Sequence, residues 1–428
     1  MTLDDLGGWR GAFDAFVARF SEVFKRSEPR EQAAKYVRGL VTPIERKNGW
    51  RLAEVMGDST PDRMQRLLYR AVWDVDKARD IVRAFVAEAL GRPDGTFVLD
   101  ETGFLKKGNR SVGVKRQYSG TAGKVENCQV ATFLTYVGPR GHAMLDRRLY
   151  LPHEWCADAE RRHRAQVPEG VIFRTKPEQA VEMLTAACQA GVLGRWVTGD
   201  SVYGDATAVR DAVRTAGKEY VLAVSTTCPV WDTRPALKPL PTSTGRGRPA
   251  TRRALAADAP SLTTAAVVVG AWPAGRWQRL SVGPGEKGPR EYDWAVGRVV
   301  ESREGLPGPD AWLLARRSVS DPTELAYYLS SAPEDTPVGT LAGVAGNRYT
   351  VEQCFEEGKG ETGLDHYEVR TWPSWHRHIT LSMMALAWLA VMRAQSTHGE
   401  ERPPVMGEAA GMGEAAVTSG HASDADDP

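Results

Sequence analysis

Arg348-Tyr349-Thr350-Val351-Glu352-Gln353-Cys354-Phe355-Glu356-Glu357-Gly358-Lys359 is the most informative stretch of this 428-residue chain. At about 100° per residue, Arg348, Glu352 and Lys359 share one face of a helix, so a carboxylate is held between two cations. Such a face suits the handling of phosphate. Glu356 lies one turn further on the same face and Glu357 adjoins it. Spacing to the two cations selects Glu352 among the three. A solvated ion-pair face has the same pattern.

Two further acids each close a short apolar run of the kind that forms a buried strand: Phe97-Val98-Leu99-Asp100 and Arg195-Trp196-Val197-Thr198-Gly199-Asp200. Acids leaving the ends of central strands point into a common crevice. Glu101 competes with Asp100, which can also start a turn, and Asp205 opens a helical run and is expected to be its N-cap.

With this order and spacing, the chain resembles the bacterial insertion-sequence transposases that have an RNase H-like core and an Asp, Asp, Glu triad. Within them it is similar to the cut-and-paste group whose last acid lies in a Tyr-x2-Arg-x3-Glu-x6-Lys signature. Arg348, Glu352 and Lys359 match it, whereas Ala345 stands at the Tyr position. The texture after the third acid, Gly363 to Arg370 and then Trp372 to His378, extends the resemblance over roughly residues 95–395.

The resemblance implies that Asp100, Asp200 and Glu352 are catalytic and hold two Mg²⁺ ions, with Mn²⁺ as a substitute. Such ions, roughly 3.5–4 Å apart, activate water and stabilise the leaving oxygen, and Mg²⁺ prefers oxygen ligands. Three carboxylates brought together without a cation would repel and take up protons. Arg348 and Lys359 would contact phosphates of the element end. Lys106 and Lys107, with Arg110, Lys115 and Arg116, either line the same DNA channel or form an ordinary basic hairpin. Arg246 and Arg248 lie in Arg-Gly-Arg-Pro, which resembles an AT-hook core and reads equally as a flexible basic linker.

Composition bounds the rest. A net charge of +1 assigns any nucleic-acid affinity to local patches. The five cysteines are far apart, without a C-x-x-C pair, and are expected to be reduced thiols. Cys354 is read as packed. His376 and His378 fall on different helical faces and make no metal site. Met1 to Gly8 lacks an apolar signal core, and Ile379 to Met392 is too short for a bilayer, so a buried helix is expected there. The expected location is cytoplasmic and nucleoid-associated, with no membrane contact.

The expected fold is α/β: a helical N-terminal DNA-binding domain (1–92), the first part of the RNase H-like core (93–225), a β-rich insertion with a basic linker (226–307), completion of the core with the third acid (308–395), and a disordered acidic tail (396–428). Strands are expected at Phe97–Asp100, Cys128–Val137, His142–Leu151, Trp196–Gly199 and Tyr220–Val224, and helices at Pro177–Ala190, Asp205–Ala216, Asp321–Leu329 and Tyr349–Gln395. The N-terminal helices read equally as a cap on the core. The resemblance makes Trp294 and Tyr349 candidates for stacking on a flipped base, although an aromatic in a strand is usually core.

The resemblance implies DNA transposition: cleavage at terminal inverted repeats in double-stranded DNA and joining of the freed 3′-hydroxyl to target DNA, by a homodimer on the DNA. The alternatives are a structure-selective nuclease on the same core and a domesticated, inactive DNA-binding regulator.

Overall fold

The computed structural model describes residues 3–239, 253–285 and 288–397. Five helices come first: α1 (Leu3–Ala18), α2 (Ser27–Leu40), α3 (Gly49–Val55), α4 (Asp62–Tyr69) and α5 (Val75–Leu90). Asn48 and Asp74 cap α3 and α5 by accepting backbone N–H groups of the first turn. Their apolar stripes, with Phe16, Phe20, Leu67 and Val82 buried, belong to one apolar cluster that runs on into the sheet and the last helix. The helical region is therefore packed on the core.

The core begins with β1 (Thr96–Leu105), β2 (Lys115–Ser119), β3 (Lys124–Gly138) and β4 (Gly141–Leu149). Short helices α6 (His153–Ala157) and α7 (Ala159–Arg164) follow, then α8 (Lys176–Gln189), β5 (Trp196–Gly199), α9 (Ser201–Gly204), α10 (Thr207–Thr215) and β6 (Glu219–Val224). β3 pairs antiparallel with both β1 and β4, while β5 and β6 run parallel to β1. An antiparallel meander followed by alternating strand and helix is the RNase H-like order expected from the sequence. Thr175 and Glu178 form a capping box at the start of α8.

β7 (Pro229–Trp231), β8 (Thr263–Thr264), α11 (Ala265–Gly270), β9 (Gln278–Gly285), β10 (Gly288–Arg303), β11 (Leu306–Ser318) and β12 (Leu325–Ser330) come next. They do not form a separate sheet. β12 pairs with β6, and the order β2-β3-β1-β5-β6-β12-β11-β10-β7-β8 makes one twelve-stranded sheet, with β4 on β3 and β9 on β10. β11 crosses residue 307, and the inserted strands continue to Ser330.

The helix expected at Asp321–Leu329 is strand β12. Asp321 takes the Thr323 N–H and hydroxyl in a tight turn, and the apolar run Leu325–Leu329 then finds partners on both edges, β6 and β11. Two-sided pairing outweighs local helical preference. The last helices are α12 (Val338–Gly346), α13 (Arg348–Thr362) and α14 (Trp372–Thr397). The single helix expected from Tyr349 to Gln395 is thus two, broken where Gly363 takes a φ of +60°. α14 alone is long and apolar enough to cross a membrane among the described residues, yet most of it is buried in the protein, against α2, α4, α5 and β4. A helix apolar all round is a core helix when so covered.

Candidate active site

Register brings two of the acids together. The last paired residues of parallel strands β1 and β5 are Leu99 and Gly199, and the next residue in each chain is an acid, Asp100 and Asp200. β1 does not end there, as the sequence suggested. Asp100 to Leu105 keeps its antiparallel pairing with β3 while β5 turns away into α9. Asp100 therefore stands where the parallel ladder ends, at the strands' carboxyl ends. Asp200 is the N-cap of α9 and accepts the Val202 N–H at 2.9 Å. Asp205 does not cap α10; its carboxylate accepts the Ser225 N–H at 3.0 Å and ties α9 to the end of β6.

α13 covers this face of the sheet. Alternate residues of a strand share a face, so Thr96, Asp100 and Thr102 point the same way. Asn347, just before α13, donates to the Thr96 hydroxyl at 2.9 Å, and Lys359 reaches the hydroxyls of Thr102 and Thr121 at 2.8 and 3.0 Å. The helix thus runs along β1, its buried side formed by Val351, Cys354, Phe355 and Gly358. Phe355 packs on Phe133, the β3 residue paired with Asp100.

Glu101 points to the other face. It is bonded to Lys176 and accepts the Tyr203 hydroxyl at 2.6 Å.

Electrostatics separate these acids. Asp100 is about nine-tenths buried, and that burial, with Asp200 beside it, pushes its carboxyl up to about 7 against the pull of Arg348. Burial and the charge of Glu101 also raise Asp200, and Arg348 again opposes. Glu352 is half-exposed and lies 3.8 Å from Arg348. One guanidinium therefore stands among all three acids. The rival Glu357 is engaged elsewhere: burial alone would raise its carboxyl, but His142 at 3.2 Å and Arg393 at 2.9 Å hold it below the usual range.

The basic residues divide likewise. Lys106 lies 3.6 Å from the centre of the Tyr367 ring, and burial lowers its ammonium to about 8. Lys107, Arg110 and Arg116 are exposed, while Lys115 pairs with Glu154. Arg246 and Arg248 lie outside the described residues. Trp294 is buried against Tyr328, and Tyr349 is exposed under Arg290. His376, His378 and Cys354 are buried, the thiol pushed far up by desolvation.

Among the described residues no three His, Cys, Asp or Glu side chains are gathered closely enough to hold a metal ion. The structure brings Asp100 and Asp200 together and leaves Glu352 on Arg348. The pair still suits a hard divalent cation, with oxygen donors only, desolvated and short of positive charge. The sequence alone did not show Thr102 and Thr121 as tethers of Lys359, or Glu101 as the partner of Tyr203. Thr102 could have been found, two residues beyond Asp100 on the same face of a strand.

The fold is thus an RNase H-like sheet in which a buried and a partly buried acid follow the last paired residues of two parallel strands. Residues 19–288 match the DDE superfamily endonuclease family, and the chain belongs to that family, whose members depend on divalent metal. The match includes Asp100 and Asp200 and ends before Glu352. The chain is 30% identical over 176 residues to a probable transposase for insertion sequence element IS701 from Microchaete diplosiphon, spanning 41% of this chain and 43% of that protein. It is also similar to a piggyBac transposase seen by cryo-EM in a synaptic complex with hairpin DNA, at 12% identity and a TM-score of 0.44, covering 88% of this chain and 68% of that one.

Proposed function

We propose that this chain is a DNA transposase that cleaves at the terminal inverted repeats of its own element and joins the freed 3′-hydroxyls to target DNA. The observation that carries the reading is the side-by-side placement of Asp100 and Asp200 beneath the helix of Arg348 and Glu352, in a chain of the DDE endonuclease family. The relative linked to an insertion sequence supports it.

Asp100, Asp200 and Glu352 would hold Mg²⁺, two ions in the full site, with Mn²⁺ able to replace it. When bound, the metal supplies an activated water and charge relief at phosphorus. Asp100 holds a proton near neutrality and must release it for a cation to bind, which couples loading to pH. Glu352 must part from Arg348 to join the other two acids. A DNA phosphate taken by Arg348 would drive that exchange, since a guanidinium suits bidentate phosphate contact. Lys359, fixed by Thr102 and Thr121, would lie beside the same strand, and the exposed Lys107 would extend the contact. The N-terminal helices would bind the element ends, and two ends held at once imply a homodimer on the DNA.

The test is excision in cells, with the gene's flanking DNA bracketing a marker and the protein supplied from a second plasmid. Marker loss and reinsertion with wild type, and neither with Asp200→Asn, is the expected result. Excision that survives Asp200→Asn would sink the assignment of the acids. Specific binding to the flanks without excision by wild type would favour an inactive DNA-binding copy.

A further inference from the structure

The twelve-stranded sheet is continuous, so cross-strand register can be followed from the acids into the insertion. On the face that carries Thr96, and so Asp100, lie Trp196, then Val221 of β6, Tyr328 of β12, and Leu314 and Arg316 of β11, because directly paired residues point the same way. Arg316 pairs with Trp294 of β10, two residues from Tyr292 on that face. The ends agree as well. β12 and β11 run so that Leu325 and Arg317 lie level with the carboxyl end of β6, the end at which Asp200 leaves β5.

The insertion therefore presents Arg316 and Tyr292 on the acids' face and at the acids' end. The Arg316 guanidinium lies 4.4 Å from the centre of the Tyr292 ring, and Arg290 lies 4.4 Å from that of Tyr349, the neighbour of Arg348. Arg316 and Arg348 both oppose the rise that burial gives the Tyr328 hydroxyl. Among the described residues Arg316 makes no ion pair, whereas Arg317, on the opposite face, is paired with Asp293 at 3.1 Å.

From this we infer that Arg316 and Tyr292, with Arg290 and Tyr349, form a second DNA-gripping subsite, built on the insertion, that holds a backbone phosphate at a fixed distance from the scissile phosphate. An arginine held over an aromatic ring is kept in place as a phosphate donor. β11 is three strands from β5 and four from β1, about 14–19 Å at a strand spacing of ~4.8 Å. At roughly 3.4 Å per nucleotide along one strand, the gripped phosphate lies about four to six nucleotides from the cleavage point.

The inference rests on the transposase reading, and the experiment separates the two. A duplex carrying the element end and its flank is bound to the full-length protein in Ca²⁺, with one methylphosphonate moved a position at a time away from the cleavage point. Wild type is compared with Arg316→Ala, Arg316→Lys and Tyr292→Phe, each first checked by thermal melting. In wild type, a neutral linkage about four to six nucleotides out should weaken binding about tenfold, the size of a charge-assisted phosphate contact. Arg316→Ala should weaken binding of the unmodified duplex by the same factor and make that linkage indifferent, leaving the effect at the scissile linkage intact. Arg316→Lys should restore part of the affinity. Tyr292→Phe keeps the ring and should bind like wild type. Equal sensitivity of wild type and Arg316→Ala at every position would overturn the subsite alone. No binding of end DNA by wild type would overturn both readings.

Discussion

Two kinds of buried acid occur in this molecule, and their surroundings differ. Where the N-terminal helices meet the core, Asp146 is fully buried with Arg79 and Arg83 of α5 at 3.1 and 2.9 Å and Arg147 and Arg148 nearby. Where the insertion meets α10, Glu301 is fully buried with Arg210, Arg214 and Arg303 at 2.8, 2.5 and 2.9 Å. Burial alone would raise Glu301, but these guanidiniums and the Tyr220 hydroxyl hold it below its ordinary range. Asp100 and Asp200 share one half-exposed arginine, and both carboxyls are raised. A joint compensates its charge with several internal partners, while Asp100 and Asp200 are left short of positive charge, which is what the proposed metal site would need.

The contrast can be broken by substitution. The largest effect is expected at the deficient pair: Asp200→Asn should slow strand cleavage by about ten-thousandfold, some 5 kcal/mol of barrier, with end binding within about twofold in a mobility-shift assay. Retained cleavage would place the chemistry elsewhere.

At the compensated joint the loss should be one of stability. Asp146→Ala leaves Arg79 and Arg83 without their buried partner and should cost about 3–5 kcal/mol by urea unfolding. A change under about 1 kcal/mol would mean that water reaches the joint.

Opposite in sign is Asp100→Asn. A folded carboxyl raised from 3.8 to about 7 takes up protons more readily than the unfolded chain, so its ionisation destabilises the fold as pH rises through that window. Removing the charge in metal-free protein should therefore stabilise it by up to about 4 kcal/mol at pH 8 and by almost nothing below about pH 4. Added Mg²⁺ should raise the melting temperature of wild type and leave that of the variant nearly unchanged.

The smallest effect is expected at the Lys359 tether. Thr121→Val removes one of two hydroxyl acceptors and should cost about 1 kcal/mol. DNA affinity should fall only as far as Lys359 loses its direction, which salt titration of binding would measure.

Much of this was readable from the chain. Short apolar runs ending in acids marked β1 and β5 because a buried parallel strand needs nothing but apolar residues until it reaches the crevice. The strand expected at Trp196–Gly199 is β5 as found, and that at Tyr220–Val224 differs from β6 by one residue. Asp321–Leu329 misled, since Leu-Ala-Tyr-Tyr-Leu has no period that separates helix from strand and only the partners β6 and β11 decide. The run Tyr349–Gln395 carried its own break signals, a Gly363 that takes the left-handed cap of α13 and a Pro373 in the first turn of α14, which its apolar spacing concealed.

Amino-acid order alone nominated the three acids and determined the cations around Glu352 and the α/β texture, because helical spacing and strand alternation are local properties of a chain. Tertiary structure decided everything that depends on neighbours distant in sequence. It set Asp100 beside Asp200 through parallel register, kept Glu352 on Arg348, and merged the insertion into the same sheet so that Arg316 lies on the sheet face of Asp100. Burial and charge compensation belong to that second group, since a carboxyl's affinity for protons or metal is set by what surrounds it in space.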